Sequence, residues 1–135
     1  MITLNTNTPQ SNINFQAKFL HSEDLKDVVE YAVEKNKFDK LNQARKNIDS
    51  AFLTTRLKLD IFEKSNGKNI VRFSTFKPKK NAQVPYNLTD YELIKTTEFT
   101  NDKKINPLKF ALEKIIKLSN NAPHNNMYKN IVTSK

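Results

Sequence analysis

An α+β fold is what the sequence predicts: a small antiparallel sheet of about four strands, in the order β-α-α-β-β-β-α-α, with helices packed on one face. Three observations predict it. Apolar residues alternate with polar ones in the period of a strand over Ile13–Phe19 and on both sides of a Gly-containing turn at Ser65–Lys68. Between and after those stretches the apolar residues instead recur every three or four positions, the period of a helix with one buried side. Turn and cap residues (Ser22, Asn66-Gly67, Asn106-Pro107) stand at the boundaries between the two periods.

Taken in order, residues 1–12 are Thr, Asn, Gln and Ser around Pro9 and read as a mobile polar tail, leaving 13–135 as a single α+β domain. Ile13, Phe15, Ala17 and Phe19 would share one face of a first strand. Ser22 suits an N-cap, and Glu23 and Asp24 behind it lie where the helix dipole favours negative charge. Leu25, Val28, Val29 and Ala32 then form one helical stripe, and from about Lys37 a second helix aligns Phe38, Leu41, Ala44, Ile48 and Phe52.

The hairpin carries the sharpest local signal, because its register can be argued. A two-residue Asn66-Gly67 turn would put Leu57, Leu59 and Ile61 opposite Phe76, Ser74 and Arg72, mixing apolar and polar on one face. A three-residue loop with Gly67 in the left-handed bulge position pairs Ile61 with Val71, Leu59 with Phe73 and Leu57 with Thr75, so one face is apolar throughout. The other face then pairs Asp60 with Arg72, Phe62 with Ile70, Lys58 with Ser74 and Arg56 with Phe76, with an Asp60–Arg72 ion pair expected. Lys77–Asp90, with Pro78 and Pro85, reads as a loop of about 14 residues, long for a compact domain. Tyr91–Thr100 reads as a strand. Asn106 caps a helix that Pro107 opens, with Leu108, Ala111, Leu112, Ile115 and Ile116 inward, and a short last helix spans about Asn125–Val132. Phe110 falls on the outward side of the long helix, where Met127, Tyr128, Ile131 and Val132 could fold over it.

Composition excludes more functions than it suggests. The chain has 135 residues and no Cys, so thiolate metal sites, redox pairs and disulfides are out. A single Gly leaves no phosphate-cradling loop. His21 and His124 are the only histidines and have no ligand spacing, and Asp60 and Glu63 differ by three along a strand, which turns them to opposite faces. No catalytic residue, metal ligand or cofactor is expected, and the protein reads as non-enzymatic. No apolar run approaches the roughly 20 residues of a membrane span and no signal peptide is visible, so a cytoplasmic location is the expectation.

The net charge of +9 comes from 23 basic and 14 acidic residues, and it is unevenly spread. Residues 1–53 are neutral, 54–82 and 103–135 each carry +6, and 83–102 carry −3. Of the basic residues only three, Arg45, Arg56 and Arg72, are Arg. Bidentate reading of phosphates and base edges favours Arg, and the abundance of Lys, Asn and Ile is what a low-GC genome produces without selection. The candidate binding residues are Arg56, Lys58, Phe62, Arg72 and Phe76 on the second hairpin face, Lys77, Lys79 and Lys80 after it, and Lys103 and Lys104 before the long helix. This mixture of cations and rings suits either an acidic macromolecular partner, preferentially a protein, or the stacked bases and backbone of RNA or DNA. The order helix, three strands, helix over residues 37–121 is also that of double-stranded-RNA-binding domains. Ile105-Asn106-Pro107, a turn without His and the extra first strand and helix depart from that pattern, so it identifies no family.

Overall fold

The computed structural model describes residues 19–51, 55–83, 88–102, 104–120 and 124–132. Among them, four helices and three strands follow the order α1 (Glu23–Glu34), α2 (Phe38–Ala51), β1 (Arg56–Glu63), β2 (Asn69–Pro78), β3 (Tyr91–Asn101), α3 (Pro107–Ser119) and α4 (Asn126–Val132). The sheet is antiparallel with β2 in the centre. Of the expected first strand, residues 13–18 lie outside the described residues, as does the expected tail. Phe19 is described, and it makes a single parallel bridge to Leu57 at the edge of β1.

The helix boundaries follow from local chemistry. Ser22 Oγ accepts from Leu25 N at 3.0 Å, capping α1, while Asn106 Oδ1 accepts from Leu108 N at 2.8 Å and Pro107 occupies the first turn of α3, where its missing N–H costs nothing. At the end of α1, Asn36 takes φ 59°, letting Lys37 N reach Ala32 O at 2.7 Å and Asn36 N reach Val33 O at 3.2 Å. That is the pairing of a Schellman cap, with Asn in the left-handed position that Gly usually fills.

The hairpin adopts the three-residue-loop register. Ile61 pairs with Val71, Leu59 with Phe73 and Leu57 with Thr75, and Gly67 has φ 82°. Leu57, Leu59, Val71 and Phe73 are buried in one cluster with Phe19, Leu25, Val28 and Ala32, with Leu41, Ala44 and Ile48 of α2, and with Ala111, Leu112, Ile115, Leu118 and Ile131. The helices therefore cover one face of the sheet.

Some details differ from the sequence expectation. Arg72 is the Cα partner of Asp60, yet its guanidinium turns to β3 and binds Glu98 at 3.0 Å, because β2 is central and Glu98 stands directly across on its other side. The loop after the hairpin is shorter than expected at both ends. β2 runs on to Pro78, Leu88–Asp90 forms a 3₁₀ turn, and Lys79 N donates to Asp90 O at 2.6 Å to close its base. Phe38 begins α2 but stays exposed, and Phe52 lies outside the described residues. One expectation here does hold: Phe110 is covered rather than left outward. It is half-buried against the core cluster, with the Lys114 ammonium 5.1 Å from its ring centre and 4.8 Å from that of Phe99.

Candidate functional site

The face of the sheet away from the helices carries the even-numbered residues of β1 and β2, none of them part of the core cluster. Strand pairing arranges it in four rows. Across β1, β2 and β3 these are Arg56–Phe76–Leu93, Lys58–Ser74–Thr96, Asp60–Arg72–Glu98 and Phe62–Ile70–Thr100. A bulge lies between the first two rows, where β3 gains one residue, Ile94, against Thr75 and Phe76.

The two halves of this face differ. In the half nearer the hairpin turn, Arg72 is held three ways: both Nη2 and Nε meet Glu98 Oε2, at 3.0 and 3.1 Å, and the guanidinium lies 4.5 Å from the centre of the Phe62 ring. Its charge is neutralised and the ring is covered, while Ile70 beside them is fully buried. In the other half, Phe76 and Tyr91 are half-buried and Leu93 is 55% exposed. Arg56 reaches across β2 to lie 5.3 Å from the Tyr91 ring centre, and Lys58 stands in the next row. Lys79 and Lys80, both exposed, follow β2 directly at this end. The result is an apolar centre of Phe76, Tyr91 and Leu93 with cations around it.

The remaining expected site residues do not join this group. Lys77 is the strand partner of Glu92 and has the parity of the helix-covered face. Lys104 is exposed with φ 56°, at the far end of the sheet beside the Lys68–Asp102 ion pair. Lys103 lies outside the described residues. The two +6 segments thus separate: Arg56, Lys58 and Arg72 lie on the open face, while Lys109, Lys114, Lys117 and Lys129 belong to helices of the other layer.

Sequence reasoning missed Tyr91 and Leu93. The strand was legible, but the one-residue bulge, which turns Leu93 onto the open face, leaves no mark in the alternation of β3. Among the described residues, no cluster of three or more His, Asp or Glu could hold a metal ion, and no helix is long and apolar enough to cross a membrane. Comparison with known proteins finds no match: no family model, curated protein or solved structure is similar to the chain.

Proposed function

We propose that the protein is a non-enzymatic interaction module that docks an acidic segment of a partner protein on the open sheet face, at the end formed by Arg56, Lys58, Phe76, Tyr91, Leu93, Lys79 and Lys80. One observation carries the reading: an exposed Leu and two half-buried rings are surrounded by cations, and no helix of the described residues lies over them. Protein-binding surfaces combine aromatic and Arg anchors with a polar rim in this way. A nucleic-acid site would need free ring faces and a strong positive field. Here Arg72 covers Phe62 and is itself neutralised by Glu98, and the strand residues of the face set three cations, Arg56, Lys58 and Arg72, against two carboxylates, Asp60 and Glu98, with Lys79 and Lys80 following β2.

The test is fluorescence anisotropy with three labelled probes: a synthetic peptide alternating Glu or Asp with Leu and Phe, an oligo-glutamate of equal charge, and a single-stranded oligo-uridine. The reading expects the mixed peptide to bind best, Leu93→Asp to weaken it at least tenfold, and affinity to fall less than tenfold between 50 and 200 mM salt. Preference for the RNA, with the roughly thousandfold loss expected over that range when about six phosphates are neutralised, would replace this reading with sequence-nonspecific nucleic-acid binding.

A further inference from the structure

The two edges of the sheet are treated differently. On β1 three outward-pointing groups are taken up by the chain that leads into α1 and by its first turn: Leu20 N donates to Leu57 O at 2.6 Å, Ser22 Oγ to Leu59 O at 2.8 Å, and Ile61 N to Asp24 Oδ2 at 2.7 Å. These are the odd residues of β1, so its even residues bond to β2. By the same alternation Thr96, Glu98 and Thr100 of β3 point their backbone groups out of the sheet. Among the described residues nothing pairs with them. A row of unpaired strand groups is a template for another strand.

We infer that this edge binds the same edge of a second copy of the chain, giving a two-fold dimer with one continuous six-stranded sheet. Two observations select a second copy. The sealed β1 edge prevents β1-to-β3 stacking into open filaments, leaving only β3-to-β3 pairing, which closes on itself. The open run is also self-complementary. With the axis at Thr97, Thr97 faces the partner's Thr97, Thr96 faces the partner's Glu98 and Lys95 faces the partner's Phe99, so no like charges stand opposite between residues 95 and 99. An axis at Glu98 would oppose two carboxylates, and one at Thr96 would set Glu98 against the bulged Ile94.

The dimer would also enlarge the docking face. Three strands about 4.8 Å apart and about 25 Å long present roughly 350 Å², whereas a stable protein interface takes about 800 Å² per partner. Two open faces side by side approach that size. The inference does not depend on what the face binds.

Sedimentation equilibrium from low to high micromolar protein, at 50 and 500 mM NaCl, tests it. The expected result is a monomer–dimer equilibrium that tightens with salt, because each copy carries +9. Thr96→Pro removes only an outward N–H, so it should fold, as checked by circular dichroism, and weaken association at least tenfold. The cysteine-free chain allows a second readout that needs no Pro: Thr97→Cys should form an intermolecular disulfide on mild oxidation, and Thr100→Cys should form much less. A monomer throughout, a dimer unaffected by Thr96→Pro, or equal cross-linking at 97 and 100 would overturn the inference. Binding of the mixed acidic peptide by a strictly monomeric protein would overturn the dimer alone, and a dimer that binds none of the probes would overturn the docking function alone.

Discussion

Tyr128 links the last helix to α2 through its hydroxyl, which donates to Ala51 O at 2.9 Å, and its phenol is raised above the ordinary value of 10.0 by burial. The sign of the pH effect follows. Below pH 10 the phenol is neutral in both the folded and unfolded chain and the full contribution is present. As pH climbs past 10 the unfolded chain loses its proton first, and the contribution fades until the pH passes the raised folded value. Tyr128→Phe should therefore cost about 1 kcal/mol at pH 8, the usual net worth of such a hydrogen bond, and progressively less above pH 10. Urea unfolding of the two proteins at several pH values reads this directly, and curves that stay parallel would show that the hydroxyl makes no folded-state bond. The short helix bearing Tyr128 was legible from Pro123 and the apolar residues after it. The hydroxyl's partner was not, since Ala51 lies 77 residues away and no periodicity encodes a single long-range bond.

The sealing of β1 is a property of a whole element, because the start of α1 supplies two of its contacts, from Ser22 at the N-cap and Asp24 in the first turn. Ser22 serves twice, as cap to Leu25 N and as donor to Leu59 O, and Asp24 holds Ile61 N while adding negative charge to the first turn. Asp24→Ala should cost about 1–3 kcal/mol, the range for leaving a partly buried N–H without its acceptor, and Asp24→Asn, which keeps an acceptor, should cost less. Chemical denaturation midpoints measure both, and a loss for Asp24→Ala within about 0.3 kcal/mol would mean that water replaces the carboxylate at no cost. The sequence identified Ser22 and Asp24 as helix-start residues, which is half of their role. The other half depends on α1 lying against the edge of β1, a tertiary placement. The hairpin register was fully legible, since only one loop length keeps Leu57, Leu59 and Ile61 on the same face as Val71 and Phe73.

The distribution of charge over the two layers sets the behaviour of the molecule as a whole. Sequence order alone left open whether the two +6 segments meet. They do not: one supplies the open face of the sheet and the other the helices behind it, roughly 10 Å away through the core. The cationic part of the candidate site and one of its rings were therefore legible, as Arg56, Lys58, Phe76, Lys79 and Lys80, while Lys104 was grouped with them only because charge runs carry no information about which end of a sheet they reach. Cations on both layers repel through and around the protein, and at 10 mM salt the Debye length of about 30 Å leaves that repulsion almost unscreened. Raising NaCl from 10 to 200 mM should stabilise the fold by on the order of 1 kcal/mol, about 3–5 °C in Tm for a chain of this size. Differential scanning calorimetry at low protein concentration, where association is minimal, measures the effect. The opposing contribution comes from Lys68–Asp102 and Arg72–Glu98, whose ion pairs salt weakens, but exposed pairs of this kind are worth only about 0–1 kcal/mol each. A fall in Tm with added salt would mean that these pairs outweigh the net charge, and that the +9 is dispersed too widely to act as a field.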